Sequence, residues 1–171
     1  LIPLHFPSFN NYSSLASSSF KDKKFLSVVI GNKYFKGNYS SRVGISLKIN
    51  YLKKNLFSEH KTKQLHDERL YAIHYFLQNG AIDIYGPNWD DLTNLPLRWR
   101  LRLKKYARNI KPVKNKILTQ SNYKFILCFE NASIHDYVTE KIFDCFRSGA
   151  VPVYCGAPNI HSIIPANTFV D

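Results

Sequence analysis

The sequence contains no methionine, and this absence bears on where the chain begins. Leu1 stands where a start methionine would be, and residues 167–171 stop inside a segment with the composition of a strand. We therefore expect the 171-residue chain to be a fragment of a longer protein. A chain of this length can form one sizeable hydrophobic core or one lobe of a larger protein.

Long apolar runs are also missing. No run approaches the roughly 18 apolar residues that a membrane-spanning helix requires, so none is expected within the chain. The opening residues LIPLHFPSFNNYSSL lack the basic start and apolar centre of a signal peptide. Residues 1–22 are rich in serine and asparagine and predict a linker or the end of a missing N-terminal lobe.

Cysteine is scarce, and its spacing excludes several kinds of site. The chain has three cysteines, Cys128, Cys145 and Cys155, without CxxC or metal-ligand spacing. We expect buried thiols of a reducing compartment, and none is a good candidate for a nucleophile. The histidines do not form a ligand set with fixed spacing either, so the sequence predicts no metal site.

Acidic residues are few. The chain has 12 Asp and Glu against 24 Lys and Arg, and the net charge of +12 favours an anionic partner. Nine basic residues and no acid fall in residues 98–116. A solvated helix face with a lysine-rich loop explains this run; attraction to an anionic membrane surface and steering of an anionic ligand are the functional alternatives. Nucleic acid is not expected as a partner, because the aromatic residues have core spacing without exposed aromatic-basic alternation.

Apolar patterns predict strands that alternate with helices. Strands are predicted at residues 24–31, 81–85, 124–129 and 150–154, and a helix is predicted over 65–78, ended by Asn79-Gly80. Residues 90–112 are predicted to be helical in part, with an interruption at Pro96, and residues 42–57 fit a helix or a hairpin. This order predicts an α/β fold with a Rossmann-like parallel sheet flanked by helices.

Residues 125–154 are the most informative segment. A strand ends in Phe129-Glu130-Asn131, a polar loop follows, and Tyr137-Val138-Thr139-Glu140-Lys141 opens a helix that Gly149 closes. In open parallel sheets, ligands lie beyond the carboxyl ends of the strands, and a helix start offers N–H groups suited to phosphate. Lys141 adds a cation and Glu140 an acceptor suited to sugar hydroxyls. The segment therefore predicts half of a nucleotide site.

The same residues carry a family resemblance. Phe129-Glu130-Asn131, five intervening residues and Tyr137 to Lys141 resemble the signature of the α-1,3/1,4-fucosyltransferases, and GAVPVY at 149–154 followed by Gly156 matches their next strand. The resemblance covers roughly residues 124–170, with weaker matches back to about residue 23. The strings YVTEKIFD and PVYCGAP within it favour a bacterial-type member. It implies the C-terminal donor-binding lobe of a GT-B glycosyltransferase over residues 23–171, truncated at its C-terminus.

The resemblance also implies roles for four residues of the segment. Lys141 would neutralise the donor's diphosphate, Glu140 would accept hydrogen bonds from the ribose, and Asn131 and Tyr137 would complete the donor site. Because Lys141 follows Tyr137 by four positions, we expect both on one helical face. The ordinary alternatives are a surface ion pair for Lys141, a first-turn acid for Glu140, a turn residue for Asn131 and a packing residue for Tyr137.

A second cation is expected at the diphosphate, and arginine suits phosphate because it binds in a bidentate manner. The family places an arginine near the start of an upstream helix. Arg69 fits that pattern best, since it lies in the predicted helix before the DIYG strand. Arg42 is the competing candidate, because it follows the first strand more closely. For either, a solvent-facing helix arginine is the ordinary alternative.

The implied reaction is transfer of fucose from GDP-fucose to a hydroxyl of an acceptor glycan, with inversion and without a metal ion or other cofactor. The general base would lie in the missing N-terminal lobe, so no catalytic residue is assigned. Another GT-B transferase that uses a different nucleotide-sugar is the first alternative. A basic nucleic-acid-binding module, suggested by the net charge of +12, is the second. A bacterial enzyme would be cytoplasmic or peripherally membrane-associated, and a eukaryotic one would be anchored in the Golgi membrane.

The sequence thus predicts the effect of one substitution. Lys141→Ala is expected to abolish detectable binding of the donor, because it removes a cation from the diphosphate, while the fold stays intact. Calorimetric titration with GDP measures this. An unchanged affinity for GDP would contradict the assignment of Lys141.

Overall fold

The computed structural model of the chain describes residues 19–32 and 63–171. Arg42 and the segment 42–57 lie outside these ranges, as do residues 1–18 of the predicted linker. The strands are β1 (Lys24–Val29), β2 (Lys63–Gln64), β3 (Ile82–Tyr85), β4 (Tyr123–Phe129), β5 (Ala132–Ser133) and β6 (Val151–Cys155). The α-helices are α1 (His66–Gln78), α2 (Leu97–Leu103), α3 (Lys116–Gln120) and α4 (Glu140–Arg147).

A parallel sheet with the strand order β3-β1-β4-β6 forms the centre of the described structure. This arrangement confirms the predicted α/β fold. β3 is the neighbour of β1 on one side. β4 is its neighbour on the other side, and β6 lies beyond β4. The direction of the connections therefore reverses between β1 and β4, and such a switch point opens a crevice at the carboxyl ends of the strands.

Both faces of the sheet are buried, which explains the nearly continuous apolar runs of its strands. On one face, Leu26 and Leu127 belong to a core that includes Ile73 of α1. On the other face, Ile126 packs in a second core with Ile142 of α4. Among the helices of the described ranges, none has the length and hydropathy needed to cross a membrane.

Element boundaries differ from the prediction at two places. The helix after the Phe129-Glu130-Asn131 string begins at Glu140, with Thr139 as its N-cap residue, so Tyr137 lies in the preceding loop. Pro96 is the N-cap residue of α2, which begins at Leu97, whereas we expected Pro96 to interrupt a helix. Proline is tolerated at a helix start because its ring fixes a suitable φ angle.

A short antiparallel ribbon of β2 and β5 was not predicted. Lys63 pairs with Ser133 and Gln64 with Ala132, and the backbone N–H of Leu65 donates to the carbonyl oxygen of Asn131 over 3.0 Å. Two-residue strands have no periodicity that a sequence pattern could reveal. The ribbon fixes the start of α1 beside the loop that follows β4.

Gly86, which follows β3, provides a test of this edge of the sheet. Its φ angle is +137°, and a Cβ atom there would lie 2.6 Å from the carbonyl carbon of Ile30 after β1. Gly86→Ala should lower the free energy of unfolding by about 3 kcal/mol or more, because it combines backbone strain with a clash against another backbone. Urea denaturation followed by circular dichroism measures this loss.

Gly80→Ala is the matched control. Gly80 also has a positive φ angle, +62°, but a Cβ atom there would meet nothing within 4 Å. The loss should be about 1 kcal/mol, from backbone conformation alone. Equal losses for the two variants would show that the contact between Gly86 and Ile30 does not constrain this edge.

Candidate functional site

A cavity of about 320 Å³ opens at the carboxyl edge of the sheet, beside the ends of β1, β3 and β4. Its volume lies in the range of small-molecule sites. The lining comes from the ends of β1, β3 and β4 and from α1, α3 and α4, and comprises Val29, Ile30, Gly31, Arg69, Gly86, Pro87, Val113, Lys116, Asn131, Glu140 and Lys141. Four of the residues predicted for the site, Arg69, Asn131, Glu140 and Lys141, are therefore brought together.

Arg69 is a buried cation in the cavity wall. Its residue is only 5% exposed, and among the described residues no acid lies within ion-pair distance of its guanidinium; the Nη2 atom lies 2.8 Å from Nδ1 of His66. Burial lowers the pKa of Arg69 to about 10, so the side chain remains charged at neutral pH. A buried charge without a counter-ion is costly, and an anionic ligand in the cavity would offset that cost.

His66 orients Arg69 from one helical turn before it. Burial, followed by the charge of Arg69, lowers the pKa of His66, so the imidazole is neutral at neutral pH. A guanidinium can only donate, which makes Nδ1 of His66 the acceptor and leaves the proton on Nε2. The sequence analysis gave His66 no role. The three-residue spacing between His66 and Arg69 on one helix was the signal that could have found it.

Lys141 is held in place by two acceptors. Its Nζ atom donates to Oε2 of Glu130 and to Oγ1 of Thr139, both over 2.8 Å. The side chain of Lys141 is 19% exposed, whereas that of Glu130 is fully buried. Removal of Lys141 would leave a buried carboxylate without its cation, which is strongly destabilising. We therefore expect Lys141→Ala to lower stability as well as donor affinity, in contrast to the expectation of an intact fold.

Glu140 begins α4 and is exposed at the rim of the cavity. Partial burial acts to raise the pKa of its carboxyl group, but the charge of Lys141, a backbone N–H and the charge of Lys116 together lower it below the ordinary value. The group is therefore a carboxylate at neutral pH and can accept from hydroxyl groups. The Thr139 side chain makes no capping hydrogen bond to α4, so it does not compete with a ligand for the first-turn N–H groups.

Lys116 is a cavity residue that the sequence analysis missed. It belongs to the basic run for which a solvated face was the ordinary explanation, yet its Nζ atom lies 2.9 Å from Oδ2 of Asp144, and it lines the cavity. Arg147 is a second partner of Asp144, with 3.5 Å between Nη1 and Oδ1. Lys116 brings a further positive charge to the cavity wall.

Tyr137 is not among the residues that line the cavity. It lies half-buried in the loop before α4, and its backbone N–H donates to the carbonyl oxygen of Ile134 over 3.2 Å. The expectation that Tyr137 and Lys141 share a helical face is wrong, because α4 starts only at Glu140. Its role at the donor stays a prediction.

The cysteines and the possible metal ligands complete the description of the site. All three cysteines are free thiols; Cys128 and Cys145 are buried, as predicted, whereas Cys155 is only half-buried. A hydrogen bond with Cys128 and burial raise the pKa of Cys145. Among residues 19–32 and 63–171, no group of three or more His, Cys, Asp or Glu side chains is arranged to hold a metal ion.

The family match includes the cavity residues from Arg69 to Lys141, but not those at the end of β1. Residues 52–171 match the C-terminal model of glycosyltransferase family 10 (fucosyltransferase). The chain is 60% identical over 52 residues to GDP-fucose protein O-fucosyltransferase 3 of Danio rerio, which is 30% of this chain and 11% of that protein. It is 46% identical over 59 residues to the alpha-(1,3)-fucosyltransferase FucT of Helicobacter pylori, 34% of this chain and 12% of that protein. The matched segment thus spans only about a tenth of the length of these relatives.

A solved structure supports the same assignment at the level of the fold. A crystal structure of an alpha1,3-fucosyltransferase with GDP-fucose matches 90% of this chain and 31% of its own, with a TM-score of 0.50 and 24% sequence identity. The family model covers most of the chain, including β3, β4, α4 and β6. The chain therefore belongs to glycosyltransferase family 10, the fucosyltransferases, and represents part of the C-terminal domain of that family.

Proposed function

We propose that this chain is the donor-binding part of a fucosyltransferase that transfers fucose from GDP-fucose to a hydroxyl of an acceptor glycan with inversion. The observation that carries the proposal is the buried charge of Arg69 in the cavity wall, which has no carboxylate partner among residues 19–32 and 63–171. A diphosphate is the part of GDP-fucose that such a cation would bind. The donor named in the fucosyltransferase crystal structure is consistent with this choice.

The residues around the cavity suit the parts of a nucleotide diphosphate. Arg69 and Lys141 supply positive charge for the phosphates, and the start of α4 supplies N–H groups. Glu140 at the rim is a carboxylate that accepts from ribose hydroxyls, and Asn131 offers an amide. Tyr137 is proposed at the donor only on the family motif, since it does not line the cavity.

In the proposed reaction, the acceptor hydroxyl attacks the anomeric carbon of fucose while the bond from that carbon to the phosphate oxygen breaks. Negative charge accumulates on the departing GDP, and the cations of the cavity stabilise it most in the transition state. The proton of the acceptor hydroxyl passes to a general base. We place that base in an N-terminal lobe outside this chain, so this chain binds the donor and stabilises the leaving group.

The cellular location depends on the source of the protein. The relatives come from vertebrates, a plant and a bacterium, and both proposed locations, cytoplasmic or peripheral for a bacterial enzyme and Golgi membrane for a eukaryotic one, fit this range. Peripheral membrane association is supported by α2, which exposes Leu97 and Leu101 beside Arg98 and Arg102.

Arg69→Met tests the proposal. Methionine keeps much of the volume but removes a buried charge without a counter-ion, so the melting temperature of the ligand-free protein should stay the same or rise. The affinity for GDP should fall about 100-fold, the upper range for a hydrogen-bonded ionic contact. Differential scanning calorimetry measures the first quantity and isothermal titration with GDP the second.

Arg102→Met is the matched control, since Arg102 is exposed and lies over the ring of Trp99, with 5.2 Å from Cζ to the ring centroid, away from the cavity. It should leave GDP affinity unchanged. If Arg69→Met bound GDP as tightly as the unaltered protein, the proposed diphosphate site would be wrong.

A competition experiment separates the proposed donor from those of other GT-B transferases. GDP-fucose should displace a labelled GDP probe from the intact protein, and UDP-sugars at the same concentration should not. Preferential displacement by a UDP-sugar would favour the alternative assignment. Displacement by neither would show that the site that binds GDP does not accept a nucleotide-sugar, and would contradict the proposed donor.

A further inference from the structure

We propose that Glu130 is a positioning residue that fixes the ammonium group of Lys141 for the donor's diphosphate, without touching the donor itself. The proposal rests on the proposed function, since it concerns how the same site binds GDP. Glu130 is not among the residues that line the cavity. It lies behind the cavity wall, at the end of β4, and is fully buried.

The carboxylate of Glu130 has a complete set of partners. Its Oε1 atom accepts from the backbone N–H of Thr139 over 2.8 Å, and its Oε2 atom accepts from Nζ of Lys141 over 2.8 Å. The Thr139 hydroxyl lies 3.0 Å from Oε1 and 2.8 Å from Oε2. Both carboxylate oxygens are thus hydrogen-bonded to Thr139 or Lys141, at the beginning of α4.

The surroundings of Glu130 prevent it from moving. Its backbone N–H donates to the carbonyl oxygen of Cys155 at the end of β6 over 2.9 Å. A Cβ atom on Gly156 would lie 2.6 Å from Cγ of Glu130, so glycine is the residue that leaves room for this side chain. The carboxylate is therefore fixed relative to two neighbouring strands of the sheet.

This anchoring determines what Lys141 can offer a ligand. An ammonium group has three N–H donors in a tetrahedral arrangement. Glu130 takes one, and Oγ1 of Thr139 takes the second. The direction of the third donor is then fixed before any ligand binds, and such pre-organisation reduces the entropic cost of binding. Glu130 also balances the charge of Lys141, so Arg69 supplies uncompensated positive charge in the cavity wall.

The direction in which Glu130→Gln changes the affinity for GDP tests the proposal. Glu130→Gln removes a negative charge beside an anion site, and electrostatics alone would make GDP bind more tightly. A glutamine amide accepts at one position only, so it can keep the N–H of Thr139 while Lys141 loses its anchor. We expect GDP affinity in the intact protein to fall about tenfold, as for loss of a hydrogen bond to a charged group. Unchanged or tighter GDP binding overturns the proposal.

A double-mutant cycle with Lys141→Met, titrated up to millimolar GDP so that weakened binding is still measurable, shows whether Glu130 acts through Lys141. In the Lys141→Met background, Glu130→Gln should cause no further loss of GDP affinity, because the ammonium group that it positions is gone. Binding of guanosine, which lacks phosphate, should be the same in the unaltered protein and the Glu130→Gln variant. A tenfold loss that persists without Lys141, or that extends to guanosine, would mean a general structural role.

Thr139 provides a second variant in case Glu130→Gln does not fold. Thr139→Val removes the hydroxyl that Lys141 and Glu130 share and should weaken GDP binding several-fold, whereas Thr139→Ser keeps the hydroxyl and should restore it. Equal affinity of the valine and serine variants overturns the proposal. Absence of GDP binding by the unaltered protein would instead overturn the proposed function, so the two failures are distinguishable.

Discussion

The buried carboxylate of Glu130 is the interaction on which the geometry of the site depends. It joins the end of β4 to the beginning of α4 through Thr139 and Lys141, and its own backbone joins β4 to β6. A buried ion pair adds little to net stability, because desolvation offsets most of the Coulomb attraction, and an apolar replacement of similar volume is often as stable. We therefore interpret this pair as a means of fixing the position of groups, rather than as a source of stability.

Arg69 and Lys141 both line the cavity, and their side chains are supported in opposite ways. Lys141 has a buried partner of opposite charge, and its position is defined by hydrogen bonds to oxygen. Arg69 has a neutral histidine as its partner, so its charge is not cancelled. The position of Lys141 is thus well defined, but Glu130 neutralises its charge. The charge of Arg69 is not neutralised, and its burial lowers the stability of the fold. A diphosphate needs both qualities, namely a defined direction and a net attraction.

The sequence was sufficient for the sheet and for four of the residues that line the cavity, whose roles at a donor stay predictions. The strands are apolar on both faces, so their runs were recognisable, and the carboxyl-end rule placed Asn131 and the start of α4 at one edge. The arrangement of Arg69 depended on the ribbon of β2 and β5, which is too short to leave a pattern. Tyr137 was misplaced because the start of α4 is decided by the bonds from Thr139 to Glu130, and nothing in the local sequence reveals that Glu130 is buried.

The ribbon of β2 and β5 has a consequence for how the site comes apart. Because the amide of Leu65 is bonded to the carbonyl of Asn131, the first turn of α1 and the loop after β4 form one cooperative unit. Small peripheral units of this kind open at lower free energy than the central strands. Local opening of this unit would then separate Arg69 from Asn131 while the parallel sheet persists, so the proposed diphosphate site would be lost at a lower free energy than the fold.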